Sequence, residues 1–227
     1  SDCSSLTSID VSNFNTANVA RLDYMFNGCH SLTSINLGNL NTVNAKEMQA
    51  MFNHCTALTS IDLSSFNTTN VGSMDGMFQD CYALTSLDLS SFNTANVEKM
   101  NSMFERSNNL RTIFVGDNWS TTNLRESEYM FNECASLIGG KGTHYSPNRT
   151  DASYAHIDGG TGNPGYFTRS GDEPWSGGEP YALLSKSTKN LLSRTWHINA
   201  AEQGHLGSGE PDSDGQTWWS AAPFAKA

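Results

Sequence analysis

The sequence predicts an α/β repeat fold, and two regularities lead to that prediction. Four of the five cysteines stand 26 residues apart, and four phenylalanines repeat with the same step; they are Cys3, Cys29, Cys55 and Cys81, and Phe26, Phe52, Phe78 and Phe104. Each step carries an alternating apolar pattern and then apolar residues three or four apart, which indicates a strand followed by a short helix. Residues 1–138 therefore hold about five copies of one unit.

The first half of each unit predicts the strand. In the copy that begins at Cys55, Leu58, Ile61 and Leu63 follow the L-x-x-L-x-L spacing that is typical of a leucine-rich-repeat strand. Polar residues alternate with the last two, so the strand buries one set of side chains and exposes the other.

The second half of each unit predicts the helix. Its apolar residues have helical spacing; in the same copy they are Val71, Met74, Met77, Phe78 and Cys81. Asn70 stands directly before them, where an N-cap belongs. The predicted fold class is therefore an α/β leucine-rich-repeat solenoid of about five 26-residue coils, each with a short parallel strand and a short helix.

Asparagine recurs in two columns of the repeat. The columns are Asn15, Asn41, Asn67 and Asn93, and Asn18, Asn44, Asn70, Asn96 and Asn123. An amide side chain both donates and accepts, so we expect these residues to pair with backbone groups at the corner between strand and helix. A ligand-binding ladder is the alternative interpretation.

Four segments are predicted along the chain. Residues 1–138 are the repeats, which begin in mid-repeat, so we expect further repeats and a signal sequence upstream. Residues 139–169 are a Gly-rich C-terminal cap with a strand near 154–158, and residues 170–180 are a linker. Residues 181–227 lack a clear period and are predicted to be a partial or poorly ordered module.

The repeat motif resembles a known family. The string L-T-S-I-D-L-S-S-F-N-T-x-N-V-x-x-M-x-x-M-F-x-x-C over 58–81, present again over 84–104, is similar to the BspA-like leucine-rich repeat surface proteins of host-associated bacteria. The Gly-rich segment 154–168 resembles the piece that closes repeat arrays in that family. Over residues 1–169 the resemblance implies a secreted or cell-surface protein that binds host matrix proteins or other cells.

Composition excludes two classes of protein. A net charge of −10 and a pI near 4.9 argue against a nucleic-acid binder, which needs a basic surface. No apolar run approaches the roughly 18 residues that a membrane-spanning helix needs, so no membrane span is expected.

The exposed strand face is the predicted binding site. Its central column contains Asp10, Asn36, Asp62, Asp88 and Phe114, and its flanks include Ser60, Ser64, Ser86 and Ser90. This pattern predicts an acidic, hydroxyl-rich concave strip that contacts a basic protein segment or a glycan. Duplication of the repeat alone would also produce the column, without any function.

Catalytic and metal-binding patterns are weak. The cysteines occupy one apolar position of the repeat, which predicts buried, reduced thiols, and no C-x-x-C pair exists. His144, His156, His197 and His205 share no ligand spacing, and Asp212-Ser-Asp214-Gly215 lacks the glutamate of a calcium loop. We therefore expect no enzyme activity, no metal and no cofactor.

The predicted function is a non-enzymatic adhesion or protein-interaction module, secreted or at the bacterial cell surface. Its partner would be a host matrix or cell-surface protein, bound through the concave strand face. One alternative is a carbohydrate-binding or accessory module of a glycan-utilisation system, which would use the same face or Trp218 and Trp219. The other alternative is a structural spacer.

Overall fold

The structure, a computed structural model, describes residues 3–38 and 40–176. The chain divides into a part that covers Ser1–Ser170 and a part that covers Gly171–Ala227, and the fold below is that of the first. The predicted module over 181–227, including its paired tryptophans, lies outside the described residues, as do residues 177–180 of the predicted linker.

In the described part of the chain, five short strands form two parallel sheets. Strand β1 (Ser8–Asp10) pairs with β2 (Ser34–Asn36), and β3 (Ser86–Leu89), β4 (Thr112–Val115) and β5 (Phe167–Arg169) follow one another in the second sheet. Strands of neighbouring repeats pair at equivalent positions, since Ser8 pairs with Ser34 and Ser86 pairs with Thr112. We number the repeats 1 (3–28), 2 (29–54), 3 (55–80), 4 (81–106) and 5 (107–133).

No α-helix occurs in residues 3–38 and 40–176, so the predicted helix of each repeat is wrong. Its place is taken by a run of turns with two left-handed residues per repeat, such as Gly76 and Asp80, both at φ 59°. An α-helix needs φ near −60° at every residue, so two left-handed residues four positions apart exclude it.

The backbone of these turns bonds to the next repeat. The N–H of Gly76 donates to the carbonyl of Asn101 at 2.8 Å, whereas the N–H of Met77 donates back to Met74 at 3.2 Å. Every second N–H group of these turns thus donates to a carbonyl of the next repeat. We call this run, 20–28 and its equivalents, the turn ladder; its isolated bridges join Arg21, Glu47, Ser73, Lys99 and Glu126 in that order.

The predicted leucine-rich-repeat solenoid is therefore wrong as a fold class. The described residues hold two small sheets of short parallel strands and a turn ladder, with no helix in any repeat. The period of 26 residues and the apolar columns are real. In the second half of each repeat, however, backbone groups form hydrogen bonds to the neighbouring repeat instead of within a helix.

A column of phenylalanines lies at the centre of the core. Phe52 and Phe78 stack with ring centroids 5.7 Å apart, and Phe78 and Phe104 stack at 6.1 Å. All three side chains are fully buried. Phe131 continues the column and meets Tyr166 of the cap edge to face at 5.1 Å, so one aromatic stack joins the repeats to the cap.

The asparagine columns have the structural role that the sequence predicts. The Nδ2 groups of Asn44 and Asn70 donate to backbone carbonyls of the preceding repeat at 2.7 and 2.8 Å. In the other column, the Oδ1 of Asn67 accepts the N–H of Thr69 at 3.0 Å. These bonds satisfy the corner backbone that would otherwise be unpaired.

The cap differs in detail from the prediction. Instead of a strand near 154–158, there are 3₁₀ turns at Ala152–Tyr154 and Gly160–Gly162, and Ile157 forms a single bridge with Phe167 of β5. The cap packs tightly at Gly139, where an added Cβ would come within 2.1 Å of the carbonyl oxygen of Gly165. Only glycine fits at that position.

Thiol labelling tests the buried cysteine column. Cys3 is exposed, whereas Cys29, Cys55, Cys81 and Cys134 are buried. Burial raises the pKa of Cys55 to about 12, which leaves little thiolate at neutral pH. We expect a disulfide reagent to modify Cys3 at least about tenfold faster than the other thiols in the native protein. Cys3→Ser is the control, and a fast phase that survives this change would contradict the burial.

Candidate functional site

The strand face consists of the outward-facing residues of the strands and their equivalents. In β3, Ser86 and Asp88 are exposed while Leu87 and Leu89 are buried, because successive side chains of a strand point to opposite sides. Of the other predicted site residues, Asp10, Asn36, Asp62, Ser60 and Ser64 are exposed, whereas Ser90 and Phe114 are half-buried. The predicted residues thus occupy three positions of the repeat, which are those of Ser60, Asp62 and Ser64 in repeat 3.

The predicted column is not continuous. The register sets Asp10 opposite Asn36 and Asp88 opposite Phe114. Asp62 lies between these pairs, in a segment that forms no strand; among the described residues no backbone hydrogen bond joins Ser60 or Asp62 to the strands on either side. The strand face therefore consists of two pairs of hydrogen-bonded strands, and the segment that carries Asp62 lies between them without pairing to either.

Like charges would meet at one of the two places where the strand pairing is interrupted. A regular ladder would set Asp62 opposite Asp88, and two carboxylates one strand apart repel by about 1 kcal/mol in a water-like dielectric. The two sheets that do form pair Asp10 with a neutral amide and Asp88 with an aromatic ring. Repulsion between carboxylates thus fits the gap between Asp62 and Asp88, but not the gap between Asn36 and Asp62, where an amide would again face a carboxylate.

Each acidic residue of the column also closes a turn. The Oδ1 atoms of Asp10, Asp62 and Asp88 accept the N–H groups two residues later, at 2.9, 2.9 and 2.8 Å. The hydroxyl and the backbone N–H of Ser64 lower the pKa of Asp62, and those of Ser12 lower the pKa of Asp10. Both carboxylates are therefore ionised at neutral pH and held in a fixed orientation. The D-x-S spacing signals this turn in the sequence.

The carboxylates of the strand face have no cationic partner. Among the residues that the structure describes, no ion pair involves Asp10, Asp62 or Asp88. Ion pairs instead concentrate on the turn ladder, where Lys99 meets Glu126 at 2.8 Å. Within residues 3–38 and 40–176, the negative charge of the strand face is thus uncompensated.

One charged cluster on the turn ladder was missed by sequence reasoning. The buried carboxylate of Asp80 accepts Nε of Arg106 at 2.7 Å and the hydroxyl of Tyr82 at 2.6 Å, and His54 Nε2 lies 3.4 Å away. Burial alone raises the pKa of Asp80, but the bonds from Arg106 and Tyr82 outweigh it and lower the pKa. Because its oxygens are occupied, this carboxylate ties repeats 3 and 4 together and is not a catalytic base.

Two further findings concern ligands and membranes. In residues 3–38 and 40–176, no group of three or more His, Cys, Asp or Glu side chains could hold a metal ion. Over the same residues, no helix has the length and apolar character needed to cross a membrane.

The sequence matches the model of a known family. A family model described as "Mycoplasma protein of unknown function, DUF285" matches residues 1–82 and 33–141. No curated protein and no solved structure matches significantly. The resemblance to BspA-like leucine-rich repeat proteins is therefore wrong, because the matching model is that of a different family.

Proposed function

The chain belongs to the DUF285 family, and since that family carries no assigned activity, we propose a function from the strand face: non-enzymatic binding of a basic protein segment. The observation that carries the proposal is the uncompensated charge of Asp10, Asp62 and Asp88, which are exposed and have no ion-pair partner in the described part of the chain. A module of this kind needs no catalytic group.

The proposed partner presents lysine or arginine side chains to the face. A single exposed ion pair contributes only about 0–1 kcal/mol, so specific binding needs several such contacts together. Ser60, Ser64 and Ser86 lie beside the carboxylates and supply hydroxyl groups for hydrogen bonds to the same segment. The overall charge of −10 also favours encounter with a basic partner.

The turns beneath the face support this proposal. Because Oδ1 of each aspartate is already bonded to the backbone, the carboxylates lose little conformational freedom when a partner binds. The buried Leu87 and Leu89 hold β3 in place from the other side. The face is thus arranged before a ligand arrives.

We further propose a partner outside the cell, either a host matrix protein or another cell-surface protein, for a chain that is secreted or displayed on a bacterial surface. Glycan binding is the second candidate. The observation that favours it is the row of exposed hydroxyls at Ser60, Ser64 and Ser86 next to carboxylates, since both groups bond to sugar hydroxyls. A structural spacer would bind neither class.

Charge reversal on the face tests the proposal. We expect Asp62→Lys/Asp88→Lys to weaken binding of the full chain to an immobilised panel of host matrix proteins by at least about tenfold at low salt. The matched control is Glu128→Lys/Glu133→Lys, which makes the same change of charge at exposed positions of the turn ladder.

The outcomes separate the candidates. Binding lost in the first variant and kept in the second supports the strand face, and raised salt should reduce the difference between them. Equal loss in both variants would indicate net charge alone, and no loss in either would reject the site. A signal on mucin glycans without one on any protein would favour the carbohydrate interpretation.

A further inference from the structure

Repeat 5 departs from the pattern of the other repeats just after β4. Trp119 takes the place that Phe66 and Phe92 hold in repeats 3 and 4, since the N–H of each following residue donates to a threonine hydroxyl of the preceding repeat. Leu89 pairs with Val115, so repeat 5 has one extra residue between that position and Trp119. Phe92 is fully buried, whereas Trp119 is only half-buried. Part of an aromatic side chain at a core position is thus uncovered here.

A cavity lies beside Trp119, between the loop that follows β4 and the cap. Its volume is about 260 Å³. The loop contributes residues 115–117 and Thr121 to its lining, and the cap contributes residues 155–157 and Arg169. Pockets that hold small molecules typically start at about 300 Å³, so this cavity has room for a ligand of one ring.

One wall of the cavity is apolar and held in place. Nε1 of Trp119 donates to the carbonyl oxygen of Ala155 at 3.0 Å, and the indole meets the ring of Phe167 nearly at right angles, with centroids 5.0 Å apart. These two contacts fix the orientation of the indole. Val115 and Ile157 add aliphatic surface to the same cavity. An apolar group of a ligand therefore meets a wall that exists before the ligand binds.

The polar side of the cavity is an exposed ion pair between Asp117 and Arg169. Their side chains are 84% and 51% exposed, and the contact joins one carboxylate oxygen, Oδ1, to one guanidinium nitrogen, Nη1. Within residues 3–38 and 40–176, no other hydrogen bond uses the Oδ2 of Asp117 or the remaining N–H groups of the Arg169 side chain. Thr121 adds a hydroxyl group. The cavity thus offers acceptors and donors side by side, on a pair without net charge.

We propose that this cavity binds one uncharged pyranose ring of a glycan, at a site apart from the strand face, and this inference goes beyond the proposed function. A pyranose has C–H groups that pack on an aromatic ring and hydroxyl groups that both donate and accept, and the cavity presents a surface for each. The carboxylate and the guanidinium form charge-assisted hydrogen bonds to hydroxyl groups. An anionic ligand would meet Asp117 and a cationic ligand would meet Arg169, so an uncharged ligand fits the pair best.

Titration of the isotope-labelled full chain with simple sugars, followed by NMR, tests the proposal. The probes are the methyl glycosides of glucose, galactose, mannose and N-acetylglucosamine, taken to the millimolar concentrations that a single ring without avidity requires. The chain has five tryptophans, and the indole N–H signal of Trp119 is the one that is absent from Trp119→Phe. That variant restores the residue of the other repeats, so it suits the fold. We expect at least one glycoside to shift the Trp119 signal until it saturates.

Matched variants separate this cavity from the other surfaces of the protein. We expect Asp117→Ala to weaken the affinity for the glycoside at least about tenfold, because hydrogen bonds to a charged group are lost. The control is Glu98→Ala, which removes an exposed carboxylate paired with Arg125 at 3.4 Å on the turn ladder, and it should leave the affinity unchanged. Asp62→Lys/Asp88→Lys should also leave it unchanged, so the cavity and the strand face are tested independently.

Three results would overturn the proposal. The first is that none of the four glycosides shifts the Trp119 signal. The second is that Asp117→Ala, with the amide spectrum of the folded protein, binds the glycoside as tightly as the unmodified chain does. The third is that only indole signals other than that of Trp119 move, which would place sugar binding outside the cavity.

Discussion

Replacing Phe78 with alanine is expected to lower the free energy of unfolding by about 3–5 kcal/mol. The ring is fully buried and lies between those of Phe52 and Phe104, at 5.7 and 6.1 Å. Truncation removes the burial of the ring and leaves a cavity that both neighbours border, and the backbone bonds between repeats hinder its collapse. Urea denaturation followed by circular dichroism measures the change.

The matched control for this prediction is Phe14→Ala. Phe14 is also an aromatic residue of the repeat, but half of its surface is already in water, so we expect a loss of about 1 kcal/mol or less. An equal loss of unfolding free energy in the two variants would show that the buried phenylalanine column does not stabilise the core.

The sequence predicts the core of the repeats well. Leu58, Met77 and Phe78 are buried as their spacing indicates, and the strand pattern of β3 has the predicted alternation. The sequence predicts such positions because burial depends on the type of side chain and on a spacing that recurs along the chain.

The helix could not be distinguished from the turn ladder by that spacing. Met74, Met77, Phe78 and Cys81 face the core in either structure, so the apolar pattern is the same. The discriminating signal is weaker: Gly28, His54 and Asp80 share a left-handed position, and glycine, histidine and aspartate are among the residues that adopt it most readily. A bond to the next repeat then allows even Arg106 to take that conformation, and a bond to the hydroxyl of Tyr145 in the cap does the same for Glu133.

The candidate site was predicted in part, for a physical reason. Alternation identifies Asp62 and Asp88 as outward-facing residues, and the structure exposes both. Whether neighbouring segments pair is not visible from one repeat alone, because Ile61 and Leu63 alternate as Leu87 and Leu89 do, yet only the latter lie in a strand. The same holds for Asp80, since its partners Arg106 and His54 come from the repeats on either side.

A second large effect is expected in the cap, at Asp158. Its carboxylate is buried, and its Oδ2 accepts the N–H groups of Lys141 and Thr143 at 2.8 and 3.0 Å. Its Oδ1 accepts the hydroxyl of Thr143 and the N–H of Gly160, both at 2.8 Å. One side chain thus fixes two loops of the cap that are separated in sequence.

Asp158→Asn should lower the free energy of unfolding by about 2–4 kcal/mol at pH 7, because an amide turns an NH₂ group toward backbone donors and leaves buried N–H groups unpaired. Asp88→Asn is the control, since Asp88 is exposed and asparagine can still accept the N–H of Ser90. We expect that variant to remain within about 0.5 kcal/mol of the unmodified protein in urea denaturation.

The effect of Asp158→Asn should also depend on pH. Burial alone raises the pKa of Asp158, but the hydrogen bonds from Thr143, Gly160 and Lys141 outweigh it, so the pKa in the folded protein lies below the ordinary value of 3.8. A carboxyl group with a lowered folded pKa stabilises the protein above its unfolded pKa, and the stabilisation is lost as pH falls through the folded value. The difference between the unmodified protein and Asp158→Asn should therefore be constant from about pH 6 to pH 7 and narrow below about pH 4. A difference that stays the same at pH 3 would show that the carboxylate charge does not hold the cap together.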